Sequence, residues 1–183
     1  YASNDTVTIT GPTTIKAYWT ATSYSITYNY NNGSLPTGVT NPTSYTVLTN
    51  TFTLNNPERA GYTFTGWTGS NGNTPNTTIT ITKGSTTGNK TYNANWQTVT
   101  YYITYELHDG NLPNNQTNKS DYTVETTSFT LVNPEKAGYA FTGWTGTNGD
   151  TPDTSVKIPK GSTGDRAYEA NWTAKQYTVT LEI

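Results

Sequence analysis

The stretch AGYTFTGWTGSNGNTPNT, Ala60–Thr77, decides how this chain reads, because it returns as AGYAFTGWTGTNGDTPDT at Ala137–Thr154. Working outward from this pair, Tyr24–Trp96 recurs as Tyr101–Trp172, at an offset of about 77 residues, a period that suits a modular array. Roughly three-fifths of the two units are identical, so they are expected to share one fold. The repetition reaches into the flanks. Asp5–Tyr28 aligns with the end of one unit running into the start of the next, which sets Trp19 beside Trp96 and Trp172. Ala174–Ile183 (AKQYTVTLEI) matches the start of a unit, with Tyr177 in the place of Tyr24 and Tyr101. The expected division is a first module at 24–100 and a second at 101–176. Residues 1–23 then form the end of a preceding repeat or an N-terminal flank, and 177–183 the first strand of a following repeat or a C-terminal flank. The alternative puts the unit boundary elsewhere, with the end pieces completing neighbouring modules by strand sharing.

Alternation of period two runs through each unit, and helical periodicity is nearly absent. In YSITYNY, residues Tyr24, Ile26, Tyr28 and Tyr30 share one face while Ser25, Thr27 and Asn29 share the other. Asn-Gly and two prolines in Asn31–Thr43 stop that strand. Short strands are expected at Tyr45–Leu48 and Thr51–Leu54, the latter with Phe52 and Leu54 inward. Asn56-Pro57-Glu58 reads as the opening of one helical turn, with Asn56 as N-cap, proline at the first helical position and Gly61 as the stop. In the strand Tyr62–Thr68, Tyr62 and Phe64 share a face but Trp67 has the opposite parity. Either a β-bulge at Gly66 turns Trp67 back to the core side, or the strand is covered on both faces. Gly69–Pro75 reads as a loop, Ile79 and Ile81 as inward strand positions, Lys83–Lys90 as a turn, and Tyr92, Ala94 and Trp96 as one face of a closing strand. The fold class that follows is all-β or β-dominated, as a tandem of small modules of about five or six strands each. Only four residues, none of them Gly or Pro, separate Trp96 from Tyr101. Such a link is expected to set the modules end to end as a semi-stiff rod.

Composition narrows the function. Net charge is −2 and only 12% of residues are charged. Phosphate neutralisation needs clustered Lys and Arg, so nucleic acid is not an expected partner. Cysteine is absent, which removes disulfide frameworks, thiolate metal sites and thiol redox chemistry. No apolar run approaches the length of a membrane span. Threonine, asparagine, glycine and tyrosine dominate, the bias of an extracellular β protein.

Gly61-Tyr62-Thr63-Phe64-Thr65-Gly66-Trp67, followed by Tyr92-Asn93-Ala94-Asn95-Trp96, resembles the Listeria–Bacteroides repeat, the internalin-type B repeat, with its GYTFxGW core and closing A-x-W strand. The second unit supplies Gly138–Trp144 and Tyr168–Trp172 in the same roles. The resemblance implies a compact β-rich module related to the β-grasp fold. It also implies tandem arrangement in secreted or wall-anchored bacterial surface proteins, where such repeats often serve as a stalk. It transfers no catalytic or ligand-binding residues.

The chemistry-bearing residues are weighed singly. Glu58 and Glu135 are the one acidic pair that both units keep; a turn or helix-start role is favoured over catalysis. His108 is the only histidine and Asn31 takes its place in the first unit, so an exposed loop role is favoured over metal or proton transfer. Asp150 and Asp153 stand where the first unit has Asn73 and Asn76, too little carboxylate for calcium. Lys83 and Lys160 recur in exposed turns, and Lys90 is Arg166 in the second unit, which disfavours a Lys–Asn or Lys–Asp cross-link. Trp67/Trp144 and Trp96/Trp172 are candidates for stacking on sugar rings, but modules this poor in other large apolar residues need those rings in their cores. Tyr101 and Tyr102 are expected to wedge neighbouring modules together. No catalytic, cofactor-binding or metal residue is therefore assigned, and the chain is expected not to be an enzyme. The leading expectation is a monomeric, non-catalytic stalk or spacer segment of an adhesin-like bacterial surface protein, its partners being neighbouring repeats. The alternative is a glycan-, mucin- or host-protein-binding module that acts through avidity. The second predicts an exposed aromatic patch at the same place in each unit.

Overall fold

The computed structural model describes residues 6, 8–84 and 86–181. The expectations for the flanks fall partly on residues 1–5, 7, 182 and 183, which lie outside the described residues, as does Ser85 in the Lys83–Lys90 turn. Each repeat is built from seven strands. The first has β1 (Tyr24–Asn29), β2 (Ser44–Tyr45), β3 (Phe52–Thr53), β4 (Tyr62–Gly69), β5 (Gly72–Asn76), β6 (Thr80–Ile81) and β7 (Lys90–Thr98). The second repeats them as β8 (Tyr101–Glu106), β9 (Asp121–Tyr122), β10 (Phe129–Thr130), β11 (Tyr139–Gly146), β12 (Gly149–Asp153), β13 (Lys157–Ile158) and β14 (Arg166–Ala174). Among the described residues there is no helix, and neither flank adds a strand to either sheet.

Five strands of each repeat form one sheet, in the order β2-β1-β7-β4-β5 and its counterpart β9-β8-β14-β11-β12. The first and last long strands pair in parallel at the centre, Ile26 beside Lys90 through Asn29 beside Asn93, and all other pairings are antiparallel. A short ribbon, β3 with β6, lies apart from the sheet and sets Phe52 beside Ile81. The core fills the space between these two layers. Ile26, Tyr45, Trp67, Tyr92 and Ala94 come from the sheet, and Leu54, Ile79 and Ile81 from the ribbon and its ends. Partly buried Tyr24, Tyr28, Tyr30, Phe64 and Trp96 close its margin. The inward alternation read for Tyr24–Tyr30, Ile79/Ile81 and Tyr92–Trp96 is thus the one the fold uses.

The parity break in β4 is a bulge. Phe64 pairs with Trp96 but Gly66 pairs with Asn95, so one extra residue is accommodated between them. Gly66 holds φ +134°, and a Cβ there would lie 2.5 Å from the Asn76 amide nitrogen. Glycine is needed both for the angle and for the close crossing of β5. The result is that Trp67 turns inward and is 0% exposed. Gly143 and Trp144 repeat the arrangement, with φ +138° and 0% exposure.

Four local expectations are corrected. The strand at Tyr45–Leu48 ends at Tyr45, because Thr46–Thr49 closes a turn through the Thr49 amide and the Thr46 carbonyl and leaves Leu48 exposed. The strand at Thr51–Leu54 is confined to Phe52–Thr53. Gly69–Pro75 is a hairpin rather than a loop, since the chain turns at Ser70-Asn71 and returns as β5. Asn56 caps no helix. Its side chain accepts the Trp67 Nε1 hydrogen bond at 3.0 Å and donates to the Thr77 carbonyl. Glu58 instead makes a backbone bridge to Ser34. The indole N–H buried by the bulge needs an acceptor, and that need outweighs the capping preference of asparagine.

Candidate functional site

The residues singled out in the sequence separate into those the core consumes and those it leaves at the surface. Trp67 and Trp144 are consumed. Each ring is fully buried, and each Nε1 donates at 3.0 Å to an asparagine, Asn56 or Asn133. Edge-on contacts from Phe64 at 5.3 Å and Tyr28 at 5.9 Å complete the packing around Trp67. Neither indole can stack on a sugar. Trp96 and Trp172 are only partly buried. Their Nε1 atoms donate to the Tyr30 and Leu107 carbonyls at 3.0 and 3.1 Å, and Phe64 and Phe141 meet them edge-on.

These half-exposed indoles floor a cleft that recurs in the same place. In the first repeat it is lined by Pro57, Glu58, Arg59, Ala60, Tyr62, Phe64 and Trp96. The second repeat has the equivalent lining and adds the Asn111–Asn114 loop, which enlarges the cleft from about 470 to about 730 Å³. A volume of this size admits a small ligand or one or two sugar rings. A cation covers the tyrosine face in each case. The Arg59 guanidinium lies 3.6 Å from the Tyr62 ring centroid, and the Lys136 ammonium 4.6 Å from that of Tyr139. Glu58 and Glu135 are exposed at the cleft, where their main chains do the structural work through bridges to Ser34 and Asn111.

The remaining candidates have local roles. His108 is exposed at φ +50°, followed by Asp109 at +59°. Asn31 and Asn32 hold φ +49° and +65° at the matching turn. Left-handed backbone accounts for the Asn-for-His exchange, since asparagine and histidine both tolerate it. Asp153 accepts a hydrogen bond from the Ser155 amide at 2.8 Å, as Asn76 does from Thr78 at 2.9 Å. One acceptor oxygen suffices there, so Asp and Asn interchange. Among the described residues no three His, Cys, Asp or Glu side chains gather as a metal site requires. Lys83 and Lys160 sit in exposed turns, and the Arg166 Nε donates to the Tyr122 hydroxyl at 2.9 Å.

The junction between repeats differs from the expected tyrosine wedge. Tyr101 packs within its own repeat, 5.6 Å from Tyr122, and Tyr102 is 61% exposed. The contact is made instead by Gly61–Tyr62 against Val124–Glu125. The Tyr62 hydroxyl donates to Glu125 Oε1 at 2.8 Å, and this carboxylate partner holds the Tyr62 phenol above its ordinary range. The Val99 amide donates to the Gly61 carbonyl at 2.9 Å, as the Lys175 amide does to the Gly138 carbonyl in the second repeat, so this bond is internal to each repeat.

Sequence reasoning also passed over the asparagines. At the bulge Asn95 Nδ2 donates to the Gly66 carbonyl at 3.0 Å while also reaching Thr68 Oγ1. Asn171 does the same for Gly143 and Thr145. Asn71 and Asn148 donate to the tryptophan carbonyls at 2.7 and 2.8 Å. Their identity in both units was the signal that could have found them.

Fold and surfaces together define a tandem-repeat β protein. The profile of the Listeria-Bacteroides repeat domain matches twice, over residues 24–98 and 101–167, and the chain belongs to that family. The family is found in bacterial surface proteins. Comparison with curated proteins and with solved structures gives no match. No helix among the described residues is long and apolar enough to cross a membrane.

Proposed function

We propose that this chain is a non-catalytic spacer, a stalk segment of an adhesin-like bacterial surface protein, extracellular and either wall-anchored or secreted. The observation that carries the reading is the connection between repeats. β7 ends at Thr98 and β8 begins at Tyr101, so two residues join one sheet to the next. A link this short, without Gly or Pro, holds successive repeats at a set spacing. The use of the most deeply buried rings for packing supports the same reading. The β-grasp kinship implied by the family resemblance rests on the parallel pairing of the first and last long strands; the span before β4 carries no helix. Small-angle scattering of the chain tests the spacer. An extended monomer is expected, and a compact profile with the repeats folded side by side overturns it.

One observation favours a second reading. The cleft floored by Trp96 or Trp172 recurs with the same aromatic lining. Tandem copies of such a cleft, each weak alone, would bind a glycan, a mucin or a host protein by avidity. Titration of the chain with mucin oligosaccharides, read by tryptophan fluorescence, separates the two. A saturable change abolished by Trp96→Ala and Trp172→Ala favours binding, and a flat response leaves the spacer.

A further inference from the structure

The two repeats carry the same corner, Gly-Tyr at the start of β4 and β11, yet only the first is covered. A Cβ on Gly61 would collide with Val124 Cγ1, whereas a Cβ on Gly138 would meet nothing within 4 Å. Both glycines hold the same left-handed backbone, φ +77° and +78°. Val124 is 8% exposed, while Val47, its counterpart, is only partly buried. Tyr62 is hydrogen-bonded to Glu125, while Tyr139 is 39% exposed. The covering turn is Thr123-Val124-Glu125-Thr126, held by the Thr126 hydroxyl accepting from the Thr123 amide at 2.9 Å. Its counterpart Thr46-Val47-Leu48-Thr49 has the same internal bond but carries leucine where the carboxylate stands.

We propose that the Gly-Tyr corner is a repeat-docking site whose partner is the Thr-Val-Glu-Thr turn of the next repeat. The proposal rests on the spacer reading and gives it a mechanism. The valine enters the space that a side chain on Gly61 would fill, and the absence of a side chain there is what lets two repeats touch. The tyrosine hydroxyl then meets the carboxylate one residue beyond the valine. Arg59 lies over the same ring at 3.6 Å, so Tyr62 is held between the cation on its face and the carboxylate at its hydroxyl. The Val99 amide bound to the Gly61 carbonyl is matched by the Lys175 amide bound to the Gly138 carbonyl at the uncovered corner, so it belongs to the repeat itself, and docking is carried by Val124 and Glu125 alone. Corner and turn lie on different repeats, so the contact is directional. The first repeat offers its corner and the second its turn; the first repeat's own turn, with Leu48 in place of Glu125, lacks the carboxylate that this contact uses. Two residues of linker limit the spacing, and this contact fixes the angle.

The uncovered corner provides an internal control. Gly61→Ala and Gly138→Ala carry the same backbone strain, but only the first strikes a neighbour. In the full chain, Gly61→Ala should lower the melting temperature by about 4 °C or more beyond Gly138→Ala, the size of shift that a lost small contact gives in a domain of this length. Val124→Ala against Val47→Ala gives a second pair that leaves glycine geometry untouched. Nitrogen-15 relaxation reads the coupling directly. The two repeats of the parent should tumble as one body, Gly61→Ala and Val124→Ala should make them tumble separately, and Gly138→Ala and Val47→Ala should not. Equal effects within both pairs, with tumbling unchanged, would overturn docking. That result would leave the spacer standing on its short link, whereas a compact scattering profile would remove the spacer and leave the docking contact intact.

Discussion

Replacing Trp67 with alanine is the most direct test of how this sequence holds its fold. The side chain is 0% exposed and is ringed edge-on by Phe64, Tyr28, Tyr30 and Tyr92. Truncating a fully buried tryptophan costs about 3–5 kcal/mol, because the lost transfer energy is joined by the cavity left behind. One of these neighbours, Tyr28, is itself fixed by its hydroxyl donating to the Pro42 carbonyl at 2.8 Å, which limits collapse into the cavity and favours the upper part of the range. A unit of about 75 residues has a stability on the order of 4–11 kcal/mol. The variant should therefore lose about half or more of the first repeat's stability. The assay is urea unfolding of the full chain followed by amide NMR, which separates the two repeats. Resonances of 24–98 should unfold at lower urea, while those of the second repeat shift far less. Trp19→Ala serves as the control, since Trp19 is 91% exposed and the change should stay within about 0.5 kcal/mol. If Trp67→Ala unfolds with the parent, the two-layer core described above is wrong, and an exposed, ligand-ready indole takes its place.

Asn95→Ala should destabilise the first repeat by about 1–3 kcal/mol, because it strips the bulge carbonyl of its donor; Asn171→Ala should do the same to the second, and a change confined to solvent-exposed amides would refute the bulge-tether role. His108→Asn, which installs the first repeat's residue at a left-handed position, should change stability by no more than about 0.5 kcal/mol, and a larger loss by thermal melting would show that the imidazole has work beyond the turn. Burial holds the phenols of Tyr28 and Tyr105 above the ordinary tyrosine range, so the folded chain keeps protons that the unfolded chain gives up. Stability should be flat below pH about 10 and fall as pH rises beyond it, and urea midpoints should decline less steeply in Tyr28→Phe with Tyr105→Phe; identical slopes would contradict the linkage.

How much could be read in advance depended on whether a residue's role was periodic. Tyr24–Tyr30, Ile79/Ile81 and Tyr92–Trp96 announced their faces by alternation, and those faces are the core. Trp67 broke the alternation, and a glycine beside it made a bulge one of two readings; the close crossing of Asn76 over Gly66 is what decides between them. Short strands were harder. β2 and β3 hold two residues each, and a pattern of period two needs more length than that to stand out. Asn56 misled because its capping preference is local, while its partner, the indole of Trp67, arrives from a different strand. Tyr101 and Tyr102 misled for a related reason. Proximity to the link in sequence suggested contact across it, but β8 spends Tyr101 on its own core and turns Tyr102 to solvent.

The same logic bears on function. A repeat with four phenylalanines in the whole chain and no methionine or cysteine must build its interior from tyrosine, tryptophan and a few aliphatic residues. Rings with polar edges then need acceptors inside, and asparagine side chains and backbone carbonyls supply them, as Asn56 and Asn133 do for the two buried indoles. Two asparagines are thus tied to the aromatic core, while others, such as Asn71 and Asn95, hold the backbone beside the buried tryptophan. The surface can vary while this scaffold stays fixed: Glu125 replaces Leu48, Arg59 becomes Lys136, and the loop beside the cleft changes from Asn31–Gly33 to His108–Gly110. Such variation falls on the docking turn and the cleft rim. Those are the places where one repeat can differ from the next in what it touches without differing in how it folds.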